Sequence, residues 1–317
     1  MSFAAKLIAW QRRHGRHGLP WQGTRDPSRV WLSEIMLQQT QVATVIPYYE
    51  RFLARFPDVA TLARASQDDV LRLWSGLGYY ARGRNLHRAA RTIAGQGFPR
   101  SAQAIEALPG VGRSTAAAIA VFAFGERAPI LDGNVRRVLS RCYANAGDLW
   151  ALAERLLPRK QIEIYTQALM DLGATVCTRT QPACGHCPVG ALCEARRRGW
   201  QERLPAKRAP RALPQRSVTW VVWCDAGKVL VERRRSPGIW GGLWCFPEGE
   251  GRAGDCSLEP IEHGFTHFRL RIEPRVRTRG SKKSAKGQRW MTLAALERAA
   301  VPTPVRTLAR RLRAMLR

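Results

Sequence analysis

Long apolar runs and secretory features are missing from this sequence of 317 residues. No stretch approaches the roughly eighteen consecutive apolar residues that a membrane span requires. The N-terminus also lacks the charged start and the long apolar core of a secretory signal. These absences exclude a membrane-spanning protein, and we expect a cytoplasmic protein without a membrane partner.

Acidic side chains are also scarce. The chain has 24 Asp and Glu against 52 Lys and Arg, which gives a formal net charge of +28. A field of this size attracts polyanions and supplies affinity for nucleic acid that does not depend on base sequence. The alternative is a solvated surface from a host that favours arginine. Because the length exceeds one average domain, we expect two basic domains and a nucleic-acid partner.

The cysteines do not follow the pattern of a small disulfide-bonded protein. Cysteines outside one cluster are scattered among apolar neighbours and are predicted to lie in the core. The cluster has six, two and five residues between its members: Cys177, Cys184, Cys187 and Cys193. Zinc ligands usually form two closely spaced pairs, whereas one Cys-x-x-Cys flanked by single cysteines favours a [4Fe-4S] cluster. We therefore predict that residues 177–193 hold one such cluster.

Strand-like alternation is absent through residue 199, where apolar residues instead recur at helical spacing between breaks at proline and glycine. Residues 200–216 are basic and Pro-rich without apolar periodicity, which is typical of a linker. Beyond them the period changes to two, as in β-strands, and the chain closes with a helical stripe of Leu308, Leu312 and Met315. We predict a multidomain protein with an all-α domain over 1–199 and an α+β domain over 217–317.

A Gly-rich turn opens an apolar helix at residues 108–114, which read LPGVGRS. Glycine has no Cβ, so the backbone at Gly110 and Gly112 can approach an anion, and the following helix presents unpaired amides. The turn is therefore predicted to bind a phosphate. Downstream, Asp132 lies at the start of another predicted helix, where it is either an ordinary cap or, because apolar residues precede it, a desolvated catalytic carboxylate.

Two further stretches carry polar or aromatic groups. A helix predicted to begin at Asp26 places Glu34, Gln38 and Gln41 on one face, as an ordinary amphipathic helix with a wetted side would also do. The run GLGYYAR at residues 76–82 suits stacking on bases and contact with phosphates. An aromatic-rich loop in a helical core is the equal alternative.

In order and spacing, these features resemble the helix-hairpin-helix DNA glycosylases of the endonuclease III superfamily. The likeness is closest to the MutY family, adenine DNA glycosylases that remove adenine mispaired with guanine or 8-oxoguanine. The runs that carry it are LPWQ (19–22), WLSEIMLQQTQ (31–41), GLGYYAR (76–82), the hairpin, LDGNV (131–135) and the four cysteines. The resemblance implies a base excision repair enzyme, a monomer, that binds double-stranded DNA containing A:8-oxoguanine or A:G mispairs and keeps its [4Fe-4S] cluster in the 177–193 loop.

The resemblance also implies residue roles. Cleaving an N-glycosidic bond needs an acid that neutralises the leaving base and a negative charge that stabilises the sugar cation. Glu34 corresponds to the acid, and Asp132 to the anion. Trp21 is expected beside the flipped adenine, with Gln38 and Tyr79 filling or probing the vacated duplex. Gly110 and Gly112 are expected to contact the DNA backbone.

Ser114 separates two branches of this superfamily. Strand-cutting members carry at this position a lysine whose amine attacks the sugar, and a serine cannot form that imine. We therefore predict a monofunctional enzyme that leaves an abasic site. One rival is a pyrimidine-lesion glycosylase and lyase of the endonuclease III kind, and another is a DNA-binding protein without catalytic activity.

The second domain resembles the Nudix-like C-terminal domain of the MutY family, on the run GGLWCFPE at residues 241–248. Residues 255–263 offer no helically spaced glutamates for magnesium, so pyrophosphate hydrolysis is not expected. The family's Phe-Ser-His triplet, which contacts 8-oxoguanine, corresponds here to Phe265, Thr266 and His267. Without the resemblance, Phe265 would be assigned to a strand core and His267 to the surface.

Overall fold

The computed structural model describes residues 1–144, 147–206, 212–278 and 283–315. The chain separates into two compact units. The first consists of Met1–Ala63 together with the chain from Arg88 into the predicted linker. The second consists of Arg64–His87 together with the chain beyond the linker. The Nudix-like region is therefore grouped with a helical segment from the N-terminal part of the sequence.

The chain is helical up to the predicted linker, because polar caps and apolar stripes alternate along it. Ser2, Asp26, Ser66, Ser101, Asp132 and Asp148 each accept a hydrogen bond from a backbone N–H in the first turn of the helix they precede. The α-helices are α1 (Phe3–His14), α2 (Pro27–Leu37), α3 (Val42–Arg55), α4 (Val59–Arg64), α5 (Gln67–Trp74), α6 (Tyr80–Gln96), α7 (Ala102–Glu106), α8 (Arg113–Phe124), α9 (Gly133–Cys142), α10 (Leu149–Leu156), α11 (Ile162–Asp171) and α12 (Glu194–Arg198).

Side chains from α1, α8, α9 and α11 build the core of the first unit, which includes Leu7, Val121, Leu139 and Leu169. After α11 one turn of π-helix, Leu172–Val176, leads directly to Cys177. Single turns of π-helix are uncommon and occur mostly at functional sites. The core thus places the start of α9, which carries Asp132, beside the entry to the cysteine loop.

The prediction that Glu34, Gln38 and Gln41 share one face of α2 is wrong, because only Glu34 lies within the helix. The helix ends at Leu37, Gln38 is its C-cap, and Gln39 adopts a left-handed conformation with φ of 57°. Gln41 instead precedes α3 as its N-cap. Neither glycine nor proline marks this break, so the spacing of the residues predicted one helix that continues past Leu37.

Beyond the linker the chain forms a mixed sheet with two helices. The strands are β1 (Gln215–Asp225), β2 (Lys228–Arg233), β3 (Trp244–Cys245), β4 (Cys256–Ser257), β5 (Ile261–Gly264), β6 (Arg269–Arg277) and β7 (Gln288–Thr292), and the helices are α13 (Leu293–Arg298) and α14 (Thr303–Met315). Strand β1 lies between β2, to which it is antiparallel, and β6, to which it is parallel, with Val218 opposite Ile272. The predicted all-α region followed by an α+β region is confirmed.

The inner face of this sheet packs against α14. Trp220, Phe246 and Ile272 lie in the core with Leu308 and Leu312. Met315 was predicted to share this buried side, but it is 60% exposed, because it lies in the last turn of α14 beyond the edge of the packed surface.

Part of the predicted linker, residues 207–211, lies outside the described residues. Among the residues that are described, no helix combines the length and the apolarity needed to cross a membrane.

Candidate active site

The first unit contains a cleft of about 710 Å³. Its volume is within the roughly 300–1,000 Å³ of small-molecule sites. The lining combines aromatic, apolar and polar groups, among them Trp21, Gln22, Ser33, Glu34, Leu37 and Gln167. Trp21 and Glu34, which the family resemblance places beside the flipped base, therefore line one cavity.

A buried ion pair anchors the loop that carries Trp21. Asp171 is fully buried and accepts hydrogen bonds from the Arg16 backbone N–H at 2.8 Å and from Arg16 Nε at 2.7 Å. Gln22 Nε2 donates to the Arg16 carbonyl at 3.0 Å and closes the loop. The Trp21 ring packs edge-on against Tyr49 with ring centroids 5.4 Å apart. Trp21 is thus both a packed residue and part of the cleft wall.

Glu34 lies on α2 and is half-buried at the cleft. Burial of its carboxylate, and in second place the negative charge of Asp132, raise its pKa from 4.5 to about 8. Both effects disfavour the ionised form. Glu34 therefore carries a proton at neutral pH, and it lies near enough to Asp132 for the negative charge of Asp132 to oppose its ionisation.

Asp132 is the N-cap of α9, as one of the two sequence interpretations stated. Its Oδ1 accepts a hydrogen bond from the Val135 N–H at 2.7 Å. Burial raises the pKa of Asp132, against hydrogen bonds from the Val135 and Asn134 N–H groups and the charge of Arg137. Asp132 is therefore both the helix cap and the desolvated carboxylate. The hydrogen bonds with which it caps α9 also favour the ionised form of its carboxyl group.

The Gly-rich hairpin joins α7 to α8. Gly110 has a φ of 80°, a conformation that favours glycine, and Gly112 precedes α8 without a side-chain cap. Gln38 Nε2 donates to the Gly110 carbonyl at 3.4 Å and to Thr115 Oγ1 at 3.3 Å. The predicted duplex-probing residue therefore also braces the hairpin, while its neighbour Gln39 is exposed.

Ser114 lies in the first turn of α8 and points at the segment that leads to Asp132. Its hydroxyl accepts a hydrogen bond from the Leu131 N–H at 3.0 Å. The residue therefore holds the backbone one position before the carboxylate, a role that its place in the sequence did not indicate. Ser114, Asp132 and Glu34 thus belong to one locality of the first unit.

Sequence reasoning missed the side chains that connect this locality to the cysteine loop. Arg137 Nη2 donates to Asn134 Oδ1 at 2.8 Å and to the Gly173 carbonyl at 2.6 Å, and its Nε donates to the Cys177 carbonyl at 2.8 Å. A Cβ on Gly173 would lie 2.6 Å from the Asn134 Cβ, so only glycine fits there. Arginines are abundant in this chain, and no spacing distinguishes Arg137 from the others.

The predicted metal-binding cysteines line one cavity. Cys177, Cys184, Cys187 and Cys193 surround it with Val138, Leu172 and Val189. Arg141, which is buried, donates from Nη1 to Cys177 Sγ at 3.3 Å, and Gln201 Nε2 lies 3.8 Å from Cys184 Sγ. Within the described residues, no three His, Cys, Asp or Glu side chains converge as the ligands of a single ion would. A fifth cysteine, Cys142, also lines the cavity. The four thiols at the predicted positions lie in a largely apolar shell with nearby hydrogen-bond donors, which suits a thiolate-bound cluster.

The triplet Phe265, Thr266 and His267 lies in the second unit, at the turn between β5 and β6. The Phe265 N–H donates to the Phe268 carbonyl at 2.9 Å and closes the turn. The two phenylalanine rings stack with centroids 4.5 Å apart, and Trp240 lies 5.5 Å from the Phe265 ring. Thr266 and His267 are exposed at the tip. An aromatic stack therefore supports two exposed hydrogen-bonding side chains.

Tyr79 also lies in the second unit, at the start of α6. Its side chain is 44% exposed, and its φ of 45° is unusual for a bulky residue. The Arg82 guanidinium lies 5.3 Å from the centroid of its ring. The loop predicted to contact bases thus presents its aromatic ring to solvent.

A glycine hairpin followed by a half-buried aspartate, together with a glutamic acid in a cleft, is typical of one class of protein. Residues 32–158 match the HhH-GPD superfamily of base excision DNA repair proteins, and residues 218–311 match the NUDIX domain. The protein is a helix-hairpin-helix DNA glycosylase. Adenine DNA glycosylase of Buchnera aphidicola subsp. Acyrthosiphon pisum is 35% identical over 298 residues, 86% of this chain and 85% of that protein. The chain belongs to the adenine DNA glycosylase (MutY) family.

Two further comparisons agree with this assignment. Adenine DNA glycosylase of Buchnera aphidicola subsp. Baizongia pistaciae is 38% identical over 257 residues, which cover 78% of this chain and 73% of that protein. The solved structure of a thermostable thymine-DNA glycosylase superposes with a TM-score of 0.57 at 29% identity and covers 62% of this chain and 95% of its own. The family and the fold class expected from the sequence are confirmed.

Proposed function

We propose that this enzyme hydrolyses the N-glycosidic bond of adenine mispaired with 8-oxoguanine or guanine in double-stranded DNA. The observation that carries the proposal is the pKa of Glu34, which burial and Asp132 raise to about 8 at the edge of a cleft suited to a base. A carboxylic acid that is protonated at neutral pH beside a second carboxylate is the arrangement that glycoside cleavage requires. The adenine DNA glycosylases matched above support adenine as the base.

The chemistry divides between the two carboxyl groups. The Glu34 proton passes to an imidazole nitrogen of the flipped adenine, and the electrons of the breaking N-glycosidic bond remain with the base, which leaves neutral. The sugar becomes an oxocarbenium ion, and the Asp132 carboxylate stabilises its charge. A water molecule adds to the sugar carbon, and its proton goes to the Glu34 carboxylate. The products are adenine and an abasic site.

Ser114 supports a monofunctional reaction. Its hydroxyl accepts a hydrogen bond from the Leu131 N–H, and no amine stands at this position of the hairpin helix. A covalent imine with the sugar requires an amine. The enzyme is therefore expected to release the base without cutting the strand.

Adenine release under single-turnover conditions tests the proposal. We expect release from A:8-oxoguanine and A:G duplexes, strand breaks only after alkali, and no protein–DNA adduct after borohydride treatment. Excision of thymine glycol, or robust trapping by borohydride, would instead support the pyrimidine-lesion lyase. Tight binding without base release would support the DNA-binding alternative.

We further propose that the four thiolates of the cysteine loop hold one [4Fe-4S] cluster. The support is the shared cavity of Cys177, Cys184, Cys187 and Cys193 and the donors near their sulfurs. When bound, the cluster supplies an iron scaffold that orders the loop. Arg141 and Arg137 tie that loop to α9 through the Thr178 carbonyl at 2.7 Å and the Cys177 carbonyl at 2.8 Å.

Chemical analysis of the purified protein checks the cluster. We expect about four iron atoms and four sulfides per chain. Cys184→Ala should lose most of both, since it removes one of the ligands. Cys256→Ala is the matched control, because Cys256 lies in the second unit and is exposed, so the prediction that it lies in the core is wrong. Full iron and sulfide in Cys184→Ala, or zinc in their place, would contradict the assignment.

We also propose that the β5–β6 turn recognises the base opposite adenine. Thr266 and His267 are exposed at its tip, and the stacked rings of Phe265 and Phe268 hold it from below. Side chains that donate and accept hydrogen bonds can distinguish 8-oxoguanine from guanine by the polar groups that oxidation adds. The threonine keeps the hydroxyl of the family's serine.

Substitutions at Thr266 test this recognition more cleanly than removal of the domain, because residues 64–87 pack with that domain and would be exposed by its deletion. Thr266→Val removes the hydroxyl at nearly constant shape. It should lower the preference for 8-oxoguanine over guanine by roughly threefold to tenfold, the value of one hydrogen bond. Thr266→Ser should retain the preference. An unchanged ratio of excision rates in Thr266→Val would refute the role of the hydroxyl.

A further inference from the structure

Residues 64–87 connect the C-terminal fold to a candidate DNA-contacting loop. This segment consists of α5, the loop that follows it and the start of α6, and it clusters with the second unit. Leu71 of α5 is fully buried in the same core as Trp220 and Phe246. Asp68 forms an ion pair with Arg233, and Arg84 Nη1 donates to the Gly241 carbonyl at 2.6 Å. The segment is therefore packed as part of the C-terminal domain.

Ser75, the residue that begins the loop, makes the most buried of the hydrogen bonds to the C-terminal domain. Ser75, the C-cap of α5, is 7% exposed. Its hydroxyl donates to the Val301 carbonyl at 2.6 Å and accepts from Arg306 Nη2 at 2.8 Å. Arg306 lies on α14 and is itself held by the Glu297 carbonyl, to which its Nε donates at 3.2 Å. The Ser75 hydroxyl therefore both donates a hydrogen bond to the C-terminal domain and accepts one from it.

The loop that begins at Ser75 ends at Tyr79, whose backbone is in a disfavoured conformation. A φ of 45° at a bulky residue persists only where the surroundings over-determine it. From within the segment, Trp74 Nε1 donates to the Gly78 carbonyl at 3.1 Å and the Arg82 guanidinium lies 5.3 Å from the Tyr79 ring. From α14 and the residues before it, the support comes through Ser75 and, more weakly, through the Tyr80 hydroxyl, which donates to the same Val301 carbonyl at 3.5 Å. Both ends of the loop are therefore held by their neighbours, while the Tyr79 ring at its second end is exposed.

We propose that Ser75 and Arg306 are positioning residues that hold Tyr79 ready to enter the DNA duplex. The inference rests on the proposed function and adds to it that the C-terminal domain, which carries the Phe265–Thr266–His267 turn, also sets the loop that Tyr79 occupies. The domain then contributes to excision from every mispair, in addition to any recognition of 8-oxoguanine.

A double-mutant cycle on adenine release tests the inference. Ser75→Ala should slow single-turnover release from both A:8-oxoguanine and A:G by about tenfold to a hundredfold, because two hydrogen bonds are lost. If Ser75 acts through Tyr79, the same change in a Tyr79→Ala background should have no further effect. Arg306→Lys, which keeps a donor, should retain more activity than Arg306→Met. Arg311→Met is the matched control, since Arg311 lies on the same helix and donates to the Glu259 carbonyl at 3.0 Å, away from the loop.

Hydrogen exchange of residues 76–82 in the DNA-free protein provides a readout that does not depend on catalysis. Ser75→Ala and Arg306→Met should accelerate exchange there, and Arg311→Met should leave it unchanged. Additive effects of Ser75→Ala and Tyr79→Ala on excision, or unchanged exchange in Ser75→Ala, would overturn the inference. Failure of the wild-type protein to release adenine would overturn the proposed function instead, and the exchange comparison would still decide whether Ser75 anchors the loop.

Discussion

Replacing Glu34 with glutamine is expected to slow adenine release by about 10²- to 10⁴-fold, the usual contribution of a general acid. Glutamine matches glutamic acid in shape but has no proton to give to the departing base. Because burial and Asp132 raise the pKa of Glu34 to about 8, the wild-type side chain is neutral at physiological pH. The substitution therefore exchanges one neutral group for another, and binding to mispaired DNA should change little.

The pH dependence distinguishes loss of the acid from loss of structure. Only the protonated form of Glu34 can act, so the wild-type rate should fall about tenfold for each pH unit above about 8. The residual rate of Glu34→Gln should be flat over the same range, because the titrating group is gone. Near-normal excision by Glu34→Gln, or the same alkaline loss in both proteins, would exclude Glu34 as the acid.

Protein stability gives a control with a defined sign. Between pH 4.5 and about 8, folded Glu34 keeps a proton that the unfolded chain has released, so the free energy of unfolding falls as pH rises through this window. Glu34→Gln has no group that titrates in this window, so its free energy of unfolding should not fall in this way. Its Tm relative to wild type should therefore be higher at the top of the window than at the bottom. A variant whose Tm relative to wild type did not rise across this window would show that Glu34 does not keep its proton in the folded protein.

The sequence was informative wherever a residue's role depends on its immediate neighbours. The start of α2 at Asp26, the glycine hairpin and the position of Asp132 before α9 follow from local capping and turn chemistry, and the structure has them as expected. The raised pKa of Glu34 could be anticipated only through the resemblance, because it depends on burial by residues far away in the chain.

Other features had no local signal. Periodicity continued past Leu37 because glutamines and threonine are compatible with a helix, yet the chain breaks there. The packing of Leu71 and Ser75 with the C-terminal domain joins residues more than a hundred positions apart, which no window of sequence reports. For the same reason Arg137 could not be singled out, since its partners become neighbours only when α9 meets the π-helical turn.

Asp132→Asn separates the two roles that Asp132 combines. Asparagine caps helices about as well as aspartate, so the hydrogen bond to the Val135 N–H can be retained and stability should change by less than about 1 kcal/mol. The negative charge is lost, however, and with it the stabilisation of the sugar cation. We expect adenine release to fall by about 10²- to 10³-fold, the range for removal of one group that stabilises transition-state charge.

Asp148→Asn is the matched control for Asp132→Asn, because Asp148 is also an N-cap and accepts a hydrogen bond from a first-turn backbone group of α10, the Trp150 N–H, at 2.8 Å. Both variants should melt close to wild type, and only Asp132→Asn should lose activity. If Asp132→Asn kept its rate, Asp132 would be no more than a cap and the cation would need another counter-charge. A large loss of rate in Asp132→Asn with an unchanged Tm would be due to the lost negative charge of Asp132, because the side-chain shape, the helix cap and the fold are the same as in wild type.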